Sequence, residues 1–417
     1  MNKDVLKKIV IEQSSFDDIF VRRDQMEVLK NNIKNPFVII LSGMRRCGKS
    51  VLLHQFRIQQ PEKNYYLNFD DDRLQSFSIE DFETLYECFL ELYGEEHTFY
   101  FDEIQNIHGW EKFVRRLHDA GKKIYITGSN ANLLSRELGT HLTGRYIQIE
   151  LFPFSFSEFL LSQNYEYTAK DFYVRKKYVQ LQKLFHEYRE KGGFPLFVET
   201  EDTNFFKFLY ESIVYKDIIV RHKLRHEKNI LDMLQFLFSN ISSLFSFNAL
   251  KNVSNISNAS VVKEYVHFCE DSYLLFPLTK FDYSVKKQLM HQKKIYAIDT
   301  AFSSSVSFQF SENIGQKLEN IVFLHLRRQG KKLFYHHEKY ECDFVVEERG
   351  RVTDAYQVTQ SLQNSETQKR EIRGLLDALE AYEISVGYIL TEDEYDDIEQ
   401  DGKTIHIRPL WRWLLEK

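Results

Sequence analysis

One eight-residue stretch, Gly43 to Ser50, constrains the fold of this chain more than any other. Its letters, GMRRCGKS, match the pattern G-x-x-x-x-G-K-[ST], and it follows the apolar run FVIIL at 37–41. A strand, a glycine-bearing loop and a helix in that order aim backbone N–H groups and a helix N-terminus at a polyphosphate. The sequence therefore predicts an α/β domain that binds a nucleoside triphosphate.

Within this loop, individual side chains have distinct expected roles. Lys49 reaches the β and γ phosphates, and the Ser50 hydroxyl ligates Mg²⁺. Cys47 either makes activity sensitive to oxidation or simply fills a small space. The residues expected to contact the nucleotide are Gly43, Met44, Arg45, Arg46, Cys47, Gly48, Lys49, Ser50 and Val51.

A second site is expected at TFYFDE, residues 98–103, which predicts a buried strand ending in two carboxylates. Asp102 is expected to hold Mg²⁺ through water. Glu103, one residue further on, is placed to polarise the attacking water as general base. Downstream of a phosphate loop, this pair predicts hydrolysis of the bound nucleotide.

Two further positions are candidates for contact with the γ-phosphate. A strand at 123–127 runs into Gly128-Ser129-Asn130, where Ser129 or Asn130 can orient water or sense the phosphate; alternatively, this is only a turn and helix cap. Arg145 immediately precedes an alternating strand. Its guanidinium either stabilises charge on the phosphate or is a surface arginine.

These motifs together resemble the AAA+ ATPases, in particular a bacterial and archaeal group with a C-terminal domain of unassigned role. The resemblance implies ATP and Mg²⁺ as ligands, a parallel sheet with a helical lid, and hydrolysis of ATP to ADP and phosphate. By the same resemblance, Arg145 acts either in its own subunit or across a subunit interface, and the second case requires a homo-oligomer. The stretches that carry the resemblance are 43–50, 101–106, 109–112, 127–131, 143–145 and 153–159.

By the same resemblance, the site residues take the family's roles. Lys49 and Ser50 match the Walker A pair, and Asp102 and Glu103 match the Walker B pair. Ser129 or Asn130 matches the first sensor. The expected catalytic set is Lys49, Glu103, Asn130 and Arg145.

Length and composition indicate several globular domains. The 417 residues are 43% apolar and 28% charged, ordinary values for a globular protein. No apolar run approaches the length of a membrane helix and no signal peptide is evident, so a cytoplasmic protein is expected. The expected domains are an ATPase core (1–155), a helical lid (156–225), a winged helix (226–299) and a nuclease-like α/β domain (300–417).

The region 226–299 has the helix, turn, helix and β-hairpin order of a winged helix, whose second helix can enter a DNA major groove. The net charge of −6 requires any DNA contact to come from a local patch. The candidate DNA contacts are Lys263, Lys286, Lys287, Lys293 and Lys294. Because the second helix has few basic residues, a protein-packing role is the alternative.

The last segment resembles the PD-(D/E)XK nuclease fold in its order of helices and strands. Glu319 and Asp343 match two acidic metal-ligand positions. Gln357 and Thr359 stand where that family has an acid and a lysine, so the chemistry is expected to be lost. Glu341 is the acid that can substitute for the missing ligand.

The sequence thus predicts an ATP-hydrolysing switch whose C-terminal modules bind double-stranded DNA. A slow nucleotide-dependent scaffold that binds a protein partner is the alternative. An ATP-coupled, metal-dependent nuclease is a third hypothesis.

Overall fold

The computed structural model describes residues 1–14, 21–129, 144–307 and 313–416. The chain divides into two compact units. The first comprises Met1–Phe152 with Asp271–Tyr273, and the second comprises Pro153–Glu270 with Leu274–Lys417. The break after Phe152 lies close to the predicted end of the ATPase core, whereas the finer domain boundaries stay predictions.

In the described part of the first unit, helices and strands alternate along the chain. They are α1 (Lys3–Ser14), α2 (Gln25–Asn31), β1 (Val38–Ser42), α3 (Lys49–Arg57), β2 (Tyr66–Asn68), α4 (Asp81–Tyr93), β3 (Thr98–Asp102), α5 (Trp110–Asp119), β4 (Lys123–Gly128) and β5 (Tyr146–Glu150). Helix α4 buries Phe82, Leu85 and Phe89, which share one face at helical spacing.

The five strands form one parallel sheet in the order β2-β3-β4-β1-β5. All five residues of β1 are buried, because helices cover both faces of the sheet. Strand β4 lies between β1 and β3. The carboxyl ends of all three strands therefore meet at one edge, which is where polar side chains were predicted to collect.

The second unit is mostly helical in its first half. Its described α-helices are α6 (Phe156–Ser162), α7 (Arg175–Lys191), α8 (Pro195–Thr200), α9 (Phe205–Ser212), α10 (Glu227–Phe238), α11 (Phe247–Val253), α12 (Ala259–Asp271), α13 (Val285–Met290), α14 (Thr300–Val306), α15 (Ile314–Arg328), α16 (Ser365–Ala381) and α17 (Leu410–Trp413). A π-helix, Ile213–Val220, follows α9, and a short 3-10 helix, Ala169–Tyr173, precedes α7. Helix α7 ends at Lys191, and α8 begins at Pro195, a residue suited to a first helical turn.

A three-stranded antiparallel sheet accompanies helices α10 to α12. It has the order β6-β8-β7, from Leu244–Phe245, Lys293–Ala297 and Leu275–Thr279 respectively. These elements follow the helix, helix, strand and strand order expected from the sequence, whereas the winged-helix assignment itself stays a prediction. The connection from β7 to β8 is not a tight hairpin, because α13 lies within it. Lys286 and Lys287 are therefore on a helix.

A six-stranded mixed sheet organises the last part of the second unit. Its order is β13-β14-β12-β11-β10-β9. The strands are β9 (Lys332–His337), β10 (Glu341–Glu348), β11 (Arg351–Val358), β12 (Val386–Thr391), β13 (Asp396–Gln400) and β14 (Lys403–Pro409). From α15 to β12 the order is α-β-β-β-α-β, as predicted for a nuclease-like domain; the family assignment itself stays a prediction.

Across the described residues, no helix combines the length and apolar character needed to span a membrane.

Candidate functional site

The phosphate loop connects β1 to α3 in the way the sequence predicts. Gly43 has a φ of +156°, and a Cβ at this position would lie 2.1 Å from the carbonyl oxygen of Leu151, so the loop requires glycine there. Gly48, with φ 99°, turns the chain into α3. Met44 and Cys47 are buried, Arg46 is exposed, and Arg45, Ser50 and Val51 are half-buried.

The buried thiol of Cys47 supports the packing interpretation of this residue. Its Sγ atom lies 3.3 Å from the carbonyl oxygen of Leu151. Burial raises the pKa of the Cys47 thiol, against the lowering influence of Lys49 and Arg23. A thiol with a raised pKa forms little thiolate, which is the reactive species. Arg23 anchors the loop by donating to the carbonyl oxygen of Cys47 at 2.9 Å.

Lys49 and Glu103 are ion-paired in this structure. The Lys49 Nζ lies 3.3 Å from Glu103 Oε1 and donates to the carbonyl oxygen of Met44 at 3.2 Å. Burial opposes the charge on Lys49, but the neighbouring Glu103 raises its pKa. The two residues that sequence analysis placed in separate motifs thus lie in direct contact.

Asp102 is fully buried at the carboxyl end of β3. It accepts hydrogen bonds from the hydroxyls of Thr127, Ser50 and Tyr66, the last at 3.3 Å. Burial, together with the charge of Glu103, raises the pKa of Asp102 to about 6. The predicted Mg²⁺ pair, Ser50 and Asp102, is therefore brought together.

Glu103 leaves the strand in a left-handed conformation, with φ 50°. Its backbone N–H donates to Thr127 Oγ1 at 2.9 Å, and Gln105 donates to its carboxylate at 2.5 Å. Although burial alone would raise it, Lys49 and the Gln105 hydrogen bond hold the pKa of Glu103 below its usual value. A low pKa keeps Glu103 ionised, the form that a general base requires.

Sequence analysis missed the role of Thr127 and Tyr66. Thr127 contacts both acidic residues, donating to Asp102 and accepting from the backbone of Glu103. In the sequence, the signal for Thr127 was its position at the end of the predicted strand at 123–127. No sequence pattern pointed to Tyr66, or to Tyr273, whose hydroxyl donates to Ser42 Oγ at 2.8 Å.

Ser129 lies just beyond β4 with a buried hydroxyl that has no hydrogen-bond partner among the residues described. A buried, unsatisfied hydroxyl at this edge is the kind of group that a phosphate oxygen or a bound water satisfies. Asn130, the other sensor candidate, falls in the segment 130–143, outside the described residues.

Arg145 lies at the amino-terminal end of the parallel strands, whereas the phosphate loop lies at their carboxyl-terminal end. It precedes β5, which runs parallel to β1 with Val38 beside Tyr146 and Ser42 beside Glu150. Five residues of strand, roughly 16 Å, separate it from the loop edge. Arg145 pairs with Asp119 at 3.5 Å and is 55% exposed. Whether Arg145 acts on the nucleotide of its own chain or of another subunit stays a prediction.

The residues at the loop edge fit a Mg²⁺-bound triphosphate. Mg²⁺ is usually held by one or two protein oxygens together with phosphates and waters, and Ser50 with Asp102 supplies such a pair. The glycine backbone leaves space for phosphates, and Lys49 supplies the positive charge. Across the described ranges, no group of three or more His, Cys, Asp or Glu residues is arranged to hold a metal ion.

Comparison with protein families matches residues 35–160 to a model described as "AAA domain" and residues 182–313 to a domain of unknown function, DUF8612. The Methanocaldococcus jannaschii "Uncharacterized protein MJ1544" is 33% identical over 98% of this chain and 96% of its own length. The chain belongs to the MJ1544 family and carries an AAA domain. A Haemophilus influenzae "Uncharacterized protein" is 30% identical, with 95% and 98% of the two chains covered.

Two solved structures share less with this chain. The Pyrococcus horikoshii signal transduction ATPase PH0952, which has a tetratricopeptide repeat sensor, matches with TM-score 0.29 and 16% identity over 76% of this chain. The chain spans 46% of that protein, less than half its length. PCH-2 of C. elegans gives TM-score 0.25 and 12% identity, covering 63% of this chain and 67% of its own. The AAA assignment rests on the family match.

Outside the AAA domain, the five candidate DNA-contact lysines have different environments. Lys263 and Lys293 line one cavity of about 300 Å³, and no acidic residue is among those that line it. Burial and the charge of Lys263 lower the pKa of Lys293. Lys286 and Lys287 are exposed on α13.

Lys294 is not available as a DNA contact, which corrects the sequence prediction. Its side chain is 2% exposed and pairs with three carboxylates, those of Glu319, Glu341 and Asp343. Alternation along β8 explains the difference from Lys293, because successive side chains of a strand point to opposite faces.

The four predicted nuclease-like positions lie around one cavity of about 660 Å³, hereafter the acidic cavity. They are Glu319 on α15, Asp343 on β10, and Gln357 and Thr359 at the end of β11. Glu341 and Glu371 also line it. The carboxamide of Gln357 donates to Glu371 at 2.5 Å, a contact that the sequence pattern did not indicate.

Proposed function

We propose that this protein is a Mg²⁺-dependent ATPase whose nucleotide state controls binding of its C-terminal region to double-stranded DNA. The observation that carries the ATPase part is the convergence of Lys49, Ser50, Asp102 and Glu103 at one edge of the sheet. Lys49 lies 3.3 Å from Glu103, and Ser50 is hydrogen-bonded to Asp102. The site thus combines a lysine for the phosphates, a hydroxyl and a carboxylate for Mg²⁺, and a carboxylate that can activate water.

The Lys49–Glu103 ion pair suggests how the site responds to ATP. Lys49 exchanges the carboxylate of Glu103 for an oxygen of the triphosphate, since the phosphate carries more charge. Glu103 then loses its cation and becomes free to accept a proton from the attacking water, while Gln105 keeps it oriented. Ser50 and Asp102 would hold Mg²⁺, which would neutralise part of the phosphate charge.

Substitution of the general base tests the ATPase part. Glu103→Gln should retain ATP binding but lower steady-state turnover by at least ~100-fold, because the carboxamide cannot accept the proton. The control is Glu80→Gln, an exposed acid at the start of α4. Turnover of Glu103→Gln equal to that of the control would remove Glu103 from the mechanism.

The DNA part rests on Lys263 and Lys293, which share a cavity without an acidic neighbour in its lining. A buried lysine and an exposed one beside it create a positive potential that a backbone phosphate can neutralise. The exposed apolar residues of α13, Val285, Leu289 and Met290, favour the alternative of a protein partner.

Duplex binding by the full-length protein separates the two alternatives. The double variant Lys263→Met/Lys293→Met should weaken binding and reduce the slope of log affinity against log salt by about 2, because each lysine neutralises one backbone phosphate. Lys170→Met/Lys176→Met, two exposed lysines elsewhere, is the control. If wild-type protein binds no duplex at low salt and its rate of ATP hydrolysis is the same with and without DNA, the protein-partner scaffold is the correct interpretation.

A further inference from the structure

A buried lysine from outside the nuclease-like elements contacts three of the acids that line the acidic cavity. Lys294 lies on β8, whereas its partners lie on α15 and β10. Its Nζ atom is 3.0 Å from Glu319 Oε1, 2.7 Å from Glu341 Oε1 and 2.7 Å from Asp343 Oδ1. The ammonium group donates hydrogen bonds to Glu319 and Asp343 and forms an ion pair with Glu341.

These distances are those of charge-assisted hydrogen bonds and not of metal ligation. Oxygen ligands lie about 2.0–2.6 Å from Mg²⁺ or Ca²⁺, whereas ammonium nitrogens lie ~2.7–2.9 Å from carboxylate oxygens. The point shared by the three carboxylates is therefore filled by nitrogen. A divalent cation entering there would meet a buried positive charge at contact distance.

The rest of the cluster is satisfied in the same metal-free way. Tyr296 donates its hydroxyl to Glu319 at 2.7 Å, and the backbone N–H of Val358 donates to Asp343 at 2.9 Å. Arg370 pairs with Glu371 at 2.5 Å. Each of these carboxylates thus has a hydrogen-bond donor from the chain itself, which holds it in place around the cavity.

We infer that Lys294 is the built-in cation of the acidic cavity, held among Glu319, Glu341 and Asp343, so that these acids serve a lysine and not a divalent metal. The native domain keeps its acidic side chains in place without metal and does not hydrolyse nucleic acid. The cavity stays open in front of this cluster, so that binding and not cleavage is its remaining capacity. This role goes beyond the proposed function, and ATP turnover, measured on the same preparations, reports on that function separately.

Removing the ammonium should create a metal site. The full-length Lys294→Met variant should bind Mn²⁺ at least ~10-fold more tightly than wild-type protein, because the three carboxylates lose their cation. Mn²⁺ should also raise its thermal midpoint, and Lys294→Met/Asp343→Asn should lose both effects. Lys280→Met is the matched control, since Lys280 is also largely buried and pairs with a single acid, Glu338, at 2.8 Å.

Three results would overturn the inference. The first is Mn²⁺ affinity of Lys294→Met no greater than that of Lys280→Met. The second is Mn²⁺-dependent nicking of supercoiled plasmid by wild-type protein that Asp343→Asn abolishes, which would make Lys294 part of a metal-dependent nuclease. The third is a Lys294→Met variant that fails to fold both with and without Mn²⁺ while Lys294→Arg, which keeps the charge, behaves as wild type; folding only with Mn²⁺ would support the inference.

Discussion

At Asp102, stability and function make opposite demands on one residue. The carboxylate is fully buried beside Glu103, a second acid, and burial raises its pKa to about 6 from a usual value near 3.8. Thr127, Ser50 and Tyr66 offset part of this cost by hydrogen bonding. A buried carboxylate that hydrogen bonds help to keep ionised is suited to holding a divalent cation, because the positive charge of the cation balances the negative charge of the carboxylate.

The raised pKa of Asp102 predicts a definite pH dependence of stability. Since the folded state binds this proton more tightly than the unfolded state, stability falls as pH rises from about 4 to about 6 and then stays level. Asp102→Asn removes the charge and should be more stable than wild type at about pH 8 without nucleotide, by up to about 3 kcal/mol. The difference should shrink toward about pH 4.

Thermal unfolding of both proteins at about pH 5, 6.5 and 8 measures this effect. Magnesium-ATP should stabilise wild type but not Asp102→Asn, because the variant lacks the metal-holding carboxylate. An Asp102→Asn midpoint at or below that of wild type at the highest pH would show that the hydrogen bonds to Asp102 outweigh its burial.

At the scale of elements, close packing between helix α16 and strand β10 shapes the acidic cavity. Gly374 on α16 approaches β10 so closely that a Cβ would lie 2.1 Å from the carbonyl oxygen of Glu341. The helix buries Glu371, Leu375 and Ala378 on the same side. The small residue thus sets the distance at which Glu371 meets Gln357.

Replacing this glycine tests whether packing outweighs helix propensity. Gly374→Ala should destabilise the protein by ~1–3 kcal/mol, the usual cost of overpacking, although alanine is the better helix former by ~1 kcal/mol. Gly315→Ala in α15 is the control, because its nearest atom is 3.5 Å away, and it should be neutral or slightly stabilising. Denaturant unfolding compares the two; equal midpoints would contradict the close approach.

For the whole molecule, Arg145 raises the question of assembly. It lies at the sheet edge away from the phosphate loop and pairs with Asp119. We propose that a guanidinium in that place acts on the nucleotide of another subunit. The resemblance to ATPases that use an arginine across an interface points the same way.

Mixing of inactive variants tests action across subunits. Arg145→Ala and Glu103→Gln should each lose turnover, the former by ~10³-fold as for a missing arginine finger. A mixture of the two should regain activity. In mixed oligomers, Arg145 of a Glu103→Gln subunit can act on the site of an Arg145→Ala subunit, which keeps Glu103. The control mixture, Lys49→Ala with Glu103→Gln, should stay inactive because both changes affect the same site. An inactive first mixture would remove Arg145 from catalysis in trans.

How much of this protein the sequence predicts depends on whether a feature is local. The phosphate loop depends on Gly43, Lys49 and Ser50, neighbours along the chain, and the acids of β3 end a strand, so both were found from pattern alone. The order of helices and strands in the C-terminal region was likewise predicted from local sequence patterns. Local spacing determines which backbone groups and side chains share one turn or one strand end.

The remaining features depend on residues far apart in the chain. Lys294 and Lys293 are adjacent and chemically alike, yet one is enclosed by three carboxylates and the other lines a separate cavity. Likewise, the parallel pairing of β5 with β1 puts Arg145 at the end of the strands that is distant from the phosphate loop. Local sequence is enough to specify the ATP-binding chemistry. Which lysines face solvent and which acids are neutralised follows from the folded chain, because strand pairing and burial set those distances.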